Sequence, residues 1–346
     1  MNIWTTLGRE VDDFVGSIRE VPVAMPAAPD VVRQDIASRF NFAAPIPLDA
    51  LTRAVSALLR QYAVHTTHPR YFGLFNPSVH EAAIVADALA ALYNPQLATW
   101  SHSPAANELE RLTLRYLTRA LGFDVDSTFA NFTTGGLKSN LTAVLTALVS
   151  RFPDYERRGA AALDAPLSIY VTSESHHSFV KICRITGLGT DALCEVPTTA
   201  AFTMDADALR DRIRADASAG RRPFLIVGTA GTTGGGLVDP LGALAGVAAE
   251  SDLWLHVDAA WGGAAVLVPR LRHVLAGIER ADSVTWDAHK WLSVPMGAGM
   301  CFCRHGEAVR RAFDVSTSYM PSQADEAPAD PYVTTVQWSR RAIGLK

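Results

Sequence analysis

Lys290 stands directly after His289 at the end of a strand-like run, Ser283-Val-Thr-Trp-Asp-Ala-His-Lys290. Only three other lysines occur (Lys138, Lys181 and Lys346), against 27 arginines. An amine attacks a carbonyl only when deprotonated, so a lysine that forms an imine needs partial burial or a nearby positive charge. The flanking Trp286, Trp291, Leu292 and Val294 supply an apolar surround, which equally suits a lysine whose stem packs on two tryptophans. Asp258 ends a second apolar run, Trp254-Leu-His-Val-Asp258, just before the small residues Ala259 and Ala260. Parallel α/β sheets present ligands at the carboxyl ends of their strands. A carboxylate nearly buried there needs a cation beside it, unless it caps the turn that follows.

Gly135-Gly136, after Asn131-Phe-Thr-Thr134, opens an apolar-periodic helix. A glycine turn leading into a helix N-terminus offers backbone amides to a phosphate, although many helices begin this way. A second stretch of hydroxyls and bare backbone, Gly228-Thr-Ala-Gly-Thr-Thr-Gly-Gly-Gly236, follows the strand-like 224–227 and contains Thr232. His177, in Ser173-Glu-Ser-His-His-Ser-Phe-Val180, follows the strand-like 167–172. An imidazole there can stack on a planar ring while its nitrogens reach a carboxylate or a serine, or it can be a satisfied structural residue.

These residues need a scaffold, and the hydrophobic pattern predicts one. Strands over 167–172, 224–228, 253–258, 283–286 and 299–303 alternate with helix-like stretches such as 205–217. That alternation predicts an α/β fold with a mostly parallel sheet covered on both faces. Residues 1–65 read as a helical segment interrupted at Val21-Pro-Val-Ala-Met-Pro-Ala-Ala-Pro29, residues 66–312 as the large domain, with helices over 79–92 and 106–120, and residues 313–346 as a polar loop leading into a further domain. Within that last part, 337–346 has apolar residues at Trp338, Ala342 and Leu345, the spacing of a helix face.

With 49% hydrophobic and 19% charged residues, the 346-residue chain implies a large core or a broad subunit interface. A net charge of −4 gives no sign of a nucleic-acid partner. Cys183, Cys194, Cys301 and Cys303 have neither zinc spacing nor the density of a secreted domain, so they read as reduced core thiols. With no basic-then-apolar N-terminus and no apolar run of spanning length, the expected setting is the cytoplasm, away from membranes. One different chemistry is open to the same residues. His256 with Asp258, and Asp287 with His289, are pairs two apart that could serve a metal hydrolase, but that reading leaves Lys290 and the glycine turns idle.

The order of Gly-Gly turn, strand-end His, strand-end Asp and His-Lys resembles the pyridoxal-phosphate-dependent amino acid decarboxylases, the group containing glutamate, aromatic amino acid and diaminobutyrate decarboxylases. The resemblance runs from His68-Pro-Arg-Tyr-Phe-Gly-Leu-Phe-Asn-Pro-Ser78 through Trp100-Ser-His-Ser-Pro-Ala-Ala-Asn-Glu-Leu-Glu110 to Gln337-Trp-Ser-Arg-Arg341. Its most specific parts are His-Val-Asp-Ala-Ala at 256–260 and Asp-Ala-His-Lys-Trp at 287–291. It implies a fold-type-I architecture, pyridoxal 5′-phosphate as cofactor, decarboxylation of an L-amino acid in amino acid (carboxylic acid) metabolism, and a homodimer. Carbon-carbon lyase or aminotransferase chemistry, or a catalytically impaired relative, are the alternatives.

Carried over by position, the resemblance implies that Lys290 bears the cofactor as an imine. Asp258 would pair with the ring nitrogen, and His177 would stack on the ring as a base. Gly135, Gly136 and the backbone at Leu137 would hold phosphate with His289 nearby. Ala260 would lie under the ring, and Thr232 would be a further contact. Tyr332 resembles a loop tyrosine that donates a proton, with Tyr319 competing for that role. Leu74, Phe75, Asn76, Leu97 and Ala98 fall in segments that shape the substrate pocket. The chain departs from the pattern at Leu137, where a hydroxyl side chain is missing. It also stops where the family continues into a small C-terminal domain.

Overall fold

A computed structural model describes residues 3–73, 78–315 and 330–346. The chain divides into two compact units, Met1–Ser78 and Val79–Lys346. Among its described residues the first contains three helices, α1 (Ile3–Ser17), α2 (Pro29–Arg39) and α3 (Leu48–Tyr62). The Arg60 guanidinium of α3 lies over the Phe14 ring of α1, 5.4 Å from its centroid. Little of this unit is buried: α2 and α3 have no fully buried side chain, and α1 has Thr6 alone.

The second unit is an α/β layer structure. Strands β1 (Phe129–Thr133), β2 (Leu167–Val171), β3 (Leu193–Glu195), β4 (Arg222–Thr229), β5 (Trp254–Asp258), β6 (Ser283–Asp287) and β7 (Gly299–Cys303) form one sheet in the order β1-β7-β6-β5-β4-β2-β3. Strands β2 to β6 pair in parallel, and β7 runs antiparallel to both β6 and β1. The helices are α4 (Glu81–Tyr93), α5 (Pro104–Leu121), α6 (Gly136–Arg151), α7 (Tyr155–Arg158), α8 (Ser178–Ile185), α9 (Ala206–Ser218), α10 (Leu241–Glu250) and α11 (Gly306–Phe313).

Both faces of the sheet are covered, so β5 and β6 are buried at every position, polar residues included. Leu255 and Val257 join one core with Leu209 and Ile213 of α9 and Leu244 and Val247 of α10. Trp254 points to the other face, into a core with Val144 and Leu148 of α6, Phe179 and Ile182 of α8 and Val309 of α11. Because side chains alternate along a strand, Trp254, His256 and Asp258 share that second face, the one α6 covers.

The five strands and the helices expected over 79–92, 106–120 and 205–217 are all present within a residue or two. Strands β1 and β3 are additional: Phe-Ala-Asn-Phe-Thr lacks an apolar run, and Leu-Cys-Glu is too short to show one. The expected helix over 337–346 is absent. Gln96 and Arg341 instead form an antiparallel bridge, the Leu97 amide donates to the Arg340 carbonyl at 2.9 Å, and the Arg340 guanidinium is buried on Glu110 of α5, 2.8 Å to Oε2. These long-range bonds engage backbone groups that a helix would have used, and only a short helical turn, Ile343–Leu345, remains.

Candidate active site

The carboxyl ends of β4, β5 and β6 and the start of α6 meet at one place, and the chemistry-bearing residues collect there. Asp258 is the last residue of β5 and Asp287 the last of β6. Both are buried, at 5% and 2% exposure. Asp258 accepts hydrogen bonds from Asn140 Nδ2 at 2.8 Å and from the Ala260 amide at 3.1 Å. Both donors are neutral, so the carboxylate's charge is not met by these bonds, and a cationic ligand group would complete it.

Behind Asn140 runs a buried chain of polar groups whose donors and acceptors can be ordered. Indole N–H only donates, so Ser283 Oγ accepts from Trp254 Nε1 at 2.9 Å and turns its own hydrogen to His256 Nδ1 at 2.8 Å. His256 Nε2–H then donates to Asn140 Oδ1 at 3.0 Å, which leaves the Asn140 amide nitrogen to face Asp258 and Ser178 Oγ. This order requires a neutral imidazole. Complete burial supplies one, pushing His256 down to about 4 although Asp258 opposes the shift.

Asp287 has a different surrounding. Its Oδ2 lies 3.2 Å from the Gly136 amide, 3.4 Å from Lys290 Nζ and 3.6 Å from His289 Nε2. Its Oδ1 has no hydrogen-bond partner among the described residues and faces Gly299, where a Cβ would stand 2.7 Å away. Gly136 is equally confined, since a Cβ there would approach Asp287 Oδ2 to 2.9 Å. Burial pushes the Asp287 carboxyl up to about 7, with Lys290 pulling it down and Asp258 adding to the rise. His289 accepts the Ala298 amide on Nδ1 at 3.2 Å, so its Nε2 carries the proton, and burial lowers its affinity for a second.

The structure brings Gly135, Gly136, Ala260, Asp258, His289 and Lys290 together. Leu137 follows in the first turn of α6, where amides have no intrahelical acceptor. Thr232 is buried, and its Oγ1 closes its own loop by accepting the Leu237 amide at 3.1 Å. His176 and the expected His177 stand side by side at the start of α8, both exposed. The charges of the site act on His176, which partial desolvation lowers, Asp258 raises and Lys290 lowers further.

Other expected residues do not join the cluster. The Tyr332 ring lies against Trp338, centroids 4.9 Å apart, in a cleft lined by Glu156, Arg310 and Arg311. Leu97 and Ala98 are fully buried, and Leu97 packs with Ala106 and Ala342, so neither offers surface to a substrate. Leu74, Phe75, Asn76 and Tyr319 lie outside the described residues. The metal set is not assembled either, because Ser283 and Asn140 occupy both ring nitrogens of His256, and no group of three or more His, Cys, Asp or Glu side chains among the described residues could hold an ion. Sequence reasoning missed Asn140, Ser178, Ser283 and His176. The one available signal was the spacing of Gly136 and Asn140, one helical turn apart and so on one face.

A strand-end carboxylate that awaits a cation, a strand-end lysine and a glycine turn at a helix start define an α/β enzyme site built to hold an anionic, ring-bearing cofactor. The pyridoxal-dependent decarboxylase conserved domain matches residues 35–346, and the chain belongs to that family. It is 31% identical to tryptophan decarboxylase 1 of Oryza sativa subsp. japonica over 97% of this chain and 68% of that protein. It is 34% identical to cysteine sulfinic acid decarboxylase of Rattus norvegicus over 82% of this chain and 58% of that protein. Thus the chain spans between about half and two thirds of the relatives' length. Among solved structures, mouse CSAD in apo form and Oryza sativa TDC with PLP and tryptamine each superpose with a TM-score of 0.89 at 28% identity, covering 99% of this chain and 72% of theirs. Pyridoxal phosphate fits the residues present: the neutral-donor carboxylate Asp258 suits a protonated ring nitrogen, the first-turn amides of α6 suit the phosphate, and Lys290 supplies the amine.

Proposed function

We propose that this chain forms the cofactor-binding core of an L-amino acid decarboxylase, a carboxy-lyase that yields carbon dioxide and the corresponding amine. One observation carries the reading: Asp258 and the Asp287–Lys290 turn end two adjacent parallel strands, β5 and β6, beside the Gly135-Gly136 turn. When bound, pyridoxal phosphate supplies an aldehyde for amine capture and a ring that takes up the electrons of the breaking bond to the carboxylate. Lys290 would anchor it covalently. Asp258 would keep a proton on its ring nitrogen, and the Trp254–Ser283–His256–Asn140 chain fixes the orientation of that carboxylate. Gly135, Gly136, the Leu137 amide and His289 would hold the phosphate. We assign the imidazole role to His176, in place of His177, because it is electrostatically coupled to both Asp258 and Lys290.

The substrate is an L-amino acid, and the relatives named above point to aromatic and to acidic side chains as the classes to test first. A homodimer in the cytoplasm is the proposed working form. Leu89, Leu92 and Tyr93 on α4 and Leu112 and Tyr116 on α5 are 48–77% exposed, apolar surface of the kind that marks an interface. No helix among the described residues is long and apolar enough to cross a membrane. The test is carbon dioxide release from a panel of aromatic and acidic L-amino acids by the protein supplied with pyridoxal phosphate. Release from one class supports the reading, and its absence with every amino acid, from protein that binds the cofactor, overturns it.

A further inference from the structure

Asp287 sits where its charge is least welcome if a phosphate is to bind. Its Oδ2 takes the Gly136 amide at 3.2 Å and stands 3.6 Å from His289 Nε2 and 3.4 Å from Lys290 Nζ. The first two of those donors are the ones assigned above to the phosphate. A carboxylate and a phosphate dianion sharing them would repel across a buried site 2% exposed to water, where screening is weak. A carboxylic acid would not: it donates one hydrogen bond and carries no charge.

We propose that Asp287 is the proton-linked member of the phosphate site, ionised and seated on the Gly136 amide when the site is empty, and protonated, donating to the anion, when a dianion occupies it. The proton comes from solvent and returns there when the anion leaves. The inference rests on the phosphate reading given above.

The groups that face Asp287 make the linkage specific to it. From the turn after β6 come Lys290 and His289, from β5 comes Asp258, from α6 the Gly136 amide, and from β7 only the bare backbone of Gly299. His289 does not compete for the proton near neutrality, because burial already lowers it and its Nδ1 is spent on the Ala298 amide. Asp258 has its own donors in Asn140 and Ala260. Burial holds the Asp287 carboxyl at about 7 in the empty site, so a neighbouring dianion needs only a modest further push to keep it neutral.

The probe is inorganic sulfate, a dianion that does not itself titrate across the range used. Its affinity is measured by thermal-shift titration between pH 7 and 9 for the wild-type chain and for Asp287→Asn, whose amide keeps the shape and donates without titrating. One linked proton predicts that wild-type affinity falls severalfold or more between pH 7 and 9, at most about tenfold per pH unit, whereas Asp287→Asn stays within about threefold across the whole range. Asp287→Ser, smaller and also neutral, serves if the asparagine variant does not fold, and should show the same flat profile. Equal slopes in wild type and variant overturn the proposal and leave the phosphate site standing. No sulfate binding by either protein at any pH overturns the phosphate reading and this proposal with it.

Discussion

Asp258 and Asp287 end neighbouring strands, are almost equally buried, and differ in everything else. Asp258 has a neutral hydrogen-bond donor on each oxygen, the Asn140 amide on Oδ2 and the Ala260 amide on Oδ1. Asp287 has one oxygen among an amide, an imidazole and an ammonium, and the other without a partner among the described residues. Depth of burial therefore does not set a carboxylate's role here; the donors around it do. Neutral donors hold Asp258 in a fixed orientation as a charge that waits for a cation. Burial with one oxygen unpartnered among the described residues raises the Asp287 carboxyl against the pull of Lys290, so its proton can come and go near neutrality.

The largest effect expected from breaking this contrast comes at Asp258. Asp258→Asn should still form a borohydride-reducible covalent link at Lys290, read as a pyridoxyl mass on the Lys290 peptide. Its carbon dioxide release should fall by several powers of ten, about 4 kcal/mol or more of barrier. Near-normal release would show that the charge of Asp258 is not needed. Lys290→Ala, in the same assay, should lose the pyridoxyl mass altogether; its appearance on Lys138 or Lys181 would reassign the anchor.

A smaller effect is expected one bond behind Asp258. Asn140→Leu leaves the Asp258 carboxylate and the His256 Nε2–H each short of a buried partner, which should cost roughly 2–4 kcal/mol of stability. Urea unfolding of the cofactor-free protein measures it. A loss under 1 kcal/mol would mean that the ordered chain from Trp254 to Asp258 contributes little.

The smallest effects are in the pH dependence of stability, where the two halves of the site should run in opposite directions. His256 is lowered in the fold to about 4, so the unfolded chain protonates first as pH falls. Its contribution is intact above about 6.5 and is lost progressively between there and about 4. Asp287 is raised, so the folded chain keeps its proton longer as pH rises. Its contribution is fullest below about 4 and declines up to about 7. Asp287→Asn should accordingly gain stability over wild type as pH rises from 4 to 7, with no further gain above. A constant difference between the two proteins across that range would show that Asp287 does not titrate in the fold.

The sequence by itself determined the elements whose signal is local. Runs such as Trp254-Leu-His-Val-Asp258 and Ser283-Val-Thr-Trp-Asp287 are buried on both faces, and their β-branched and aromatic residues mark them as strands without knowing their neighbours. The same holds for Gly135-Gly136 before an apolar-periodic helix, and for Asp258 and Lys290 placed just past strand ends. Tertiary structure decided whatever depends on residues far apart in the chain. Asn140 and His256 are 116 residues apart, and Gly136 and Asp287 are 151 apart, so neither the ordered chain behind Asp258 nor the exposed demand on Asp287 has a local signature. The proposed choice of His176 over His177 rests on its electrostatic coupling to Asp258 and Lys290, which adjacent positions in a sequence do not reveal. The helix pattern at 337–346 was overridden because the buried Arg340 found Glu110 and the backbone found residues 96–97, bonds worth more than the segment's own weak helical periodicity.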